Sequence, residues 1–196
     1  MLIDIIDLIY LYADLLLIVV LLLSLFIMLG YLRNSRRMKD PFTQVIEKIS
    51  IDYLHNVILT DDIDGEIHLE YILFTSKGFV VLDIKNTVGV LYGGNQMDEW
   101  TVLTNHKRVT LRNPQHALTN RIAAMKILVR DVPVTGYVLF ASGTDFGDNR
   151  PENICLPKEL LEKYRKPKNS ELDRVIEAFS PYWKIICKEV KSNSPD

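Results

Sequence analysis

The sequence predicts an α/β domain, a mixed central β-sheet flanked by helices, preceded by a single transmembrane helix. Three observations lead there. The eighteen residues from Leu15 to Leu32 carry no charge, and at ~1.5 Å per residue they make roughly 27 Å, close to the hydrocarbon thickness of a bilayer. Beyond Met38, short runs rich in Val, Ile, Leu, Phe and Tyr are separated by turn residues, and helical periodicity takes over after Asn113-Pro114. Finally, 196 residues of which 48% are hydrophobic suffice for one packed core and exclude a disordered chain.

The N-terminal segment is read as an anchor over residues 1–33, with its span at about 12–32. A cleavable signal would begin with basic residues, whereas Asp4, Asp7 and Asp14 are the only charges before Arg33. Arg33, Arg36, Arg37 and Lys39 follow at once, and the positive-inside rule puts such a cluster in the cytoplasm. The expectation is a single-pass membrane protein with its N-terminus outside, its domain cytoplasmic and the lipid bilayer as a partner through 12–32. The whole chain has a formal charge of −2, with 23 basic and 25 acidic residues. Without the three early aspartates the remainder is nearly neutral, so affinity for nucleic acid requires a local patch. Cys155 and Cys187 are too few for a disulfide framework or a zinc ribbon, and fit a reducing compartment.

Residues 34–52 form a basic juxtamembrane stretch and a first helix, read at 44–51 after Asp40-Pro41. Strands are expected at 55–60, 68–75 and 79–85, the last two joined into an antiparallel hairpin by Ser76-Lys77-Gly78. Shorter strands follow at 89–92, 100–105 and 107–111. A helix then runs to about 130, with Ala117, Leu118, Ile122, Met125 and Val129 as its apolar stripe. A buried strand at 135–141 completes a core of 53–145, and 146–196 is a helical region with helices at 157–164 and 171–191. One mixed sheet accommodates all the strands.

The chemistry concentrates in the hairpin. Asp83 and Lys85 lie two apart on a strand and project to the same face. Glu70, on the preceding strand, approaches that face through the hairpin. Charges at the end of the apolar run Phe79-Val80-Val81-Leu82 cost free energy unless they pair or bind something. Two carboxylates suit a hard divalent cation, and a lysine beside them suits activation of water and stabilisation of phosphate charge. Between Thr101 and Arg130 there are six basic residues and no acid. Of the patch, Lys107, Arg108, Arg112, Arg121 and Lys126, together with Gln115, are taken as nucleic-acid-binding. Trp100 and Tyr92 are read as core, Tyr92-Gly93-Gly94-Asn95 as a turn, and Ser142-Gly143-Thr144 as a loop.

The stretch from Glu70 through Gly78 to Asp83-Ile84-Lys85-Asn86, followed by Gly89, Trp100 and Asn113-Pro114, resembles the core of the nuclease-related domain (NERD) family of the PD-(D/E)xK nuclease-like superfamily. The likeness covers about 53–130. It implies a restriction-endonuclease-like fold and metal-dependent hydrolysis of phosphodiester bonds in DNA, or in RNA. It assigns Glu70, Asp83 and Lys85 as catalytic, with Mg²⁺ or Mn²⁺ held by Glu70 and Asp83. An upstream helical acid is also implied, and Glu47, sharing a face with Asp40 and Gln44, is the choice. The pattern departs from the family at four places. Glu70 stands where Asp is usual and Asp83 where Glu is usual, while Tyr71 replaces a His. Ala117 occupies the position of a helical Gln, with Gln115 nearby. The runner-up is a catalytically inactive, membrane-tethered nucleic-acid-binding or scaffold module.

Overall fold

The computed structural model describes residues 17, 19–25, 28, 40–61, 65–147 and 150–192. They fall into two units, Met1–Asp40 and Pro41–Asp196. In the first, residues 17, 19–25 and 28 are helical. Their large apolar side chains, from Leu17 to Met28, are 48% to 63% exposed. Among the described residues no helix is long and apolar enough to cross a membrane. The rest of the span expected at 12–32, and the basic cluster after it, lie outside the described residues.

The second unit opens with α1 (Pro41–Ile49), whose Phe42, Val45, Ile46 and Ile49 recur at helical spacing and are all buried. Ser50 ends it by donating from Oγ to the Ile46 carbonyl at 2.7 Å. The chain then enters β1 (Ser50–Asp61), which pairs antiparallel with β2 (Gly65–Thr75). β2 in turn pairs antiparallel with β3 (Gly78–Lys85). At the turn between them Gly78 has φ +108°, and a Cβ there would lie 2.3 Å from the Pro133 carbonyl oxygen, so glycine is required. After β3 come three short strands, β4 (Val90–Tyr92), β5 (Glu99–Leu103) and β6 (Arg108–Arg112). Helix α2 (Pro114–Leu128) leads to β7 (Val134–Phe140), parallel to β3, and β8 (Ile154–Cys155) adds to it. Two helices, α3 (Pro157–Lys163) and α4 (Asn169–Glu189), precede the edge strand β9 (Val190–Ser192).

The strands make two sheets rather than the one expected. Six are ordered β8-β7-β3-β2-β1-β9, and β4-β5-β6 form a separate antiparallel sheet. The helix expected over 171–191 stops at Glu189, because Val190, Lys191 and Ser192 pair with Leu59, Ile58 and Val57 at the sheet edge.

Alternation along the strands divides the core in two. Ile72, Phe74, Phe79, Val81, Val138 and Phe140 face Leu118 and Met125 of α2 and Trp183 and Ile186 of α4. Tyr71, Leu73, Val80, Leu82, Tyr137 and Leu139 face α1, with Leu160 and Tyr164 from the α3 region. Helix α2 lies so close to β7 that a Cβ on Gly136 would sit 2.5 Å from the Ile122 side chain. That close approach puts the polar side of α2 over the end of β3.

Candidate active site

The pairing of β2 with β3 runs from Thr75↔Gly78 to Tyr71↔Leu82. One residue further, β2 stays with β1 through Val57↔Leu69, while β3 stays with β7 as far as Lys85↔Phe140. The sheet therefore opens a fork between two strands that are each held from the outer side. Glu70 closes the fork with its own side chain, its Oε2 accepting from the Ile84 N–H at 2.8 Å. By the strand period Glu70 shares the face of Ile72, and Asp83 and Lys85 share the face of Val81, which is the face covered by α2. The two acids and the lysine are thus on one side of the sheet, as the hairpin register required.

Asp83 is 3% exposed. Its Oδ2 accepts from Arg121 Nη1 at 2.5 Å, an ion pair delivered by α2. Its Oδ1 is buried with no hydrogen-bond partner. Burial pushes the Asp83 carboxyl above its ordinary range, opposed by the charges of Arg121 and Lys85. Glu70 is raised as well, chiefly by burial, against the Ile84 N–H and the Lys85 charge, which lower it. Over the fork lies a cleft of about 380 Å³ lined by Asp83, Lys85, Arg112, His116, Asn120 and Arg121, among others. A second hollow of about 340 Å³ adjoins it, sharing Ala117, Asn120 and Arg121 and adding Glu66, Ile67 and His68.

The remaining expectations divide. Arg112 and Arg121 line the cleft. Lys107 is in the β5–β6 turn, where Thr104 caps it, and Arg108 is exposed at the start of β6, on the same side as Arg112. Lys126 is exposed on α2 and does not line the cleft. Gln115 is held through its amide nitrogen, and its Oε1 is buried with no hydrogen-bond partner. Its Nε2 donates to Asn95 Oδ1 at 3.0 Å and to the Glu152 carbonyl at 2.7 Å, tying two loops to the helix. Glu47 is on α1, whose buried residues pack on the face of the sheet opposite to that of Glu70 and Asp83. Trp100 is core, fully buried with Nε1 donating to the Gly94 carbonyl, whereas Tyr92, expected in the core, is 55% exposed on the outer face of the small sheet. Sequence reasoning passed over Asn120. The i, i+4 spacing of His116 and Asn120 beside Arg121 would have put it on the cleft side of α2.

A hard cation is the group this acid pair would suit. One oxygen there is without a partner, the buried Asp83 Oδ1, and Glu70 has a second oxygen beside the one held by Ile84. Mg²⁺ takes one or two protein carboxylates and completes its shell with water and phosphate oxygens, so these donors fit. No larger acidic set stands behind them: among the described residues no group of three or more His, Cys, Asp or Glu is placed to share a metal ion. Neither cysteine lines the two hollows, and burial pushes the Cys155 thiol up to about 12.

A forked hairpin bearing two carboxylates and a lysine thus lies under a basic cleft in an α/β domain. The model of the nuclease-related domain (NERD) family matches residues 36–141, more than half of the chain, and the chain belongs to that family. The match extends the likeness read from the sequence at both ends. No curated protein and no solved structure matches the chain.

Proposed function

We propose that the protein is a metal-dependent nuclease that hydrolyses phosphodiester bonds in nucleic acid, DNA foremost, and that it acts from a membrane. One observation carries the reading: the β2/β3 fork gathers Glu70, Asp83 and Lys85 on one face beneath a cleft whose rim is cationic. Glu70 and Asp83 would hold Mg²⁺ or Mn²⁺. When bound, such an ion neutralises phosphate charge and acidifies water. The other roles belong to the chain. Lys85, at the cleft, orients a water or donates to a phosphate oxygen as charge develops. Arg112 and His116 at the rim hold the backbone of the nucleic acid without reading its sequence. Asn113, whose Oδ1 accepts from Gln115 N–H and whose Nδ2 donates to the Met97 carbonyl, fixes the start of α2 and hence the cleft wall.

The membrane part rests on the uncharged run from Leu15 to Leu32 and on the exposed apolar side chains of the helical residues between 17 and 28. With the basic cluster inside, the domain would be cytoplasmic. One observation favours the runner-up, a binding module without hydrolysis: Arg121 already neutralises Asp83. The discriminating experiment incubates the full chain in detergent with DNA and RNA, with Mg²⁺, with Mn²⁺ and with chelator. Metal-dependent cleavage is expected. Salt-sensitive binding with no cleavage under any metal would establish the binding module instead. Protease protection in sealed vesicles tests the orientation, with the domain expected to be accessible from the cytoplasmic side only.

A further inference from the structure

Arg121 does more than line the cleft. Its Nη1 donates to Asp83 Oδ2 at 2.5 Å and its Nε to the His68 carbonyl at 2.6 Å, so the guanidinium is tied to both strands of the fork. It stands at the junction of the two hollows, both of which it lines. With Arg121 in place, the local set of Glu70, Asp83, Lys85 and Arg121 is neutral. A divalent ion added to the same carboxylates would put a third positive group against two acids, one of them almost wholly removed from water. Like charges held together in a low-dielectric site repel strongly. Arg121 is the group positioned to relieve this, because it holds one oxygen of the very carboxylate whose other oxygen is orphaned.

We propose that Arg121 and a divalent cation compete for the Asp83 carboxylate, so that loading the cation releases the guanidinium into the cleft to meet the phosphate. Arg121 then couples the two ligands. The unloaded site keeps its buried acid neutralised, and the loaded site gains a free guanidinium, the group best shaped for a phosphate. The inference rests on the metal-dependent reading above.

The test measures Mn²⁺ binding to the full chain in detergent by the loss of the free-ion paramagnetic resonance signal, for the wild type, R121M and D83N. Competition predicts that R121M binds Mn²⁺ about tenfold or more tightly than the wild type, the worth of a charge-assisted hydrogen bond, and that D83N binds more weakly. Equal or weaker binding by R121M, with D83N still impaired, overturns the competition and leaves the metal site standing. Absence of Mn²⁺ binding in both wild type and R121M overturns the metal reading itself. Should R121M fail to fold, the wild type decides: the Arg121 Nε–H resonance, identified by its loss in R121K, should shift on addition of Mg²⁺, and an unmoved resonance overturns the proposal.

Discussion

The two ends of the β2–β3 hairpin are built from one pair of strands and are opposites in chemistry. At the turn end Thr75 closes the chain on itself: its Oγ1 donates to the Gly78 carbonyl at 2.8 Å and accepts from the Lys77 N–H. Phe79 N–H continues the closure by donating to the Pro133 carbonyl at 2.9 Å. At the fork end the ladder stops at Tyr71↔Leu82, a side chain stands in for a strand, and a buried carboxylate oxygen is left unpaired. The first end holds the fold; the second keeps unmet polar capacity.

That contrast predicts where substitutions act. The largest effect on stability belongs to the turn end. Gly78→Ala, which meets both the positive φ and the Pro133 carbonyl, should cost about 3 kcal/mol or more in urea unfolding. Lys85→Ala at the fork should leave stability within about 1 kcal/mol, since the side chain is only half-buried, while reducing cleavage by roughly a hundredfold or more, as loss of a transition-state donor does. A smaller effect is expected at the rim, where Arg112→Ala should weaken nucleic-acid binding for all sequences alike and reduce the salt slope by about one.

Titration sharpens the same comparison. Glu70 and Asp83 are both raised in the folded protein, so the native state binds their protons more tightly than the unfolded chain does. Their contribution is most favourable below the ordinary carboxylate range, about pH 4, and is lost as pH rises through the raised folded values. Glu159 runs the other way. Its hydrogen bonds from Arg150, at 2.5 and 2.6 Å, hold it below its usual range, so its contribution is present at neutral pH and is lost on acidification. The Glu70→Gln, Asp83→Asn double variant should therefore flatten the fall in stability between acid and neutral pH, whereas Glu159→Gln should leave that fall in place. A double variant with an unchanged profile would mean that the fork carboxyls are not raised.

The hairpin was legible because its signals are local. Ser76-Lys77-Gly78 fixes the turn, the turn fixes the register, and a period of two then carries Glu70, Asp83 and Lys85 to one face. Asn113-Pro114 marked the start of α2 for the same kind of reason: the Asn113 side chain accepts from the Gln115 N–H and the proline follows it. What the sequence did not disclose depends on tertiary packing. Nothing in Phe42, Val45, Ile46 and Ile49 says which face of the sheet they will cover, and it is the face opposite to that of Glu70 and Asp83. Strand β9 exists only because β1 offers an unpaired edge to Val190, Lys191 and Ser192. The separate small sheet arises because β4, β5 and β6 pair with one another and with none of the six strands of the larger sheet, β4 meeting only Asp145 outside it through a bridge at Val90. Arg121 was noticed for its charge, but its ion pair with Asp83 requires α2 to cross β7 as closely as Gly136 permits.

The central claim is that the fork is where phosphodiester bonds are cut. The most direct measurement compares the metal-dependent cleavage rates of Lys85→Ala and Lys158→Ala, two variants that lose the same charge, one at the fork and one exposed on α3. The account predicts a loss of roughly a hundredfold or more for Lys85→Ala and a wild-type rate for Lys158→Ala. Equal rates for the two variants would contradict it.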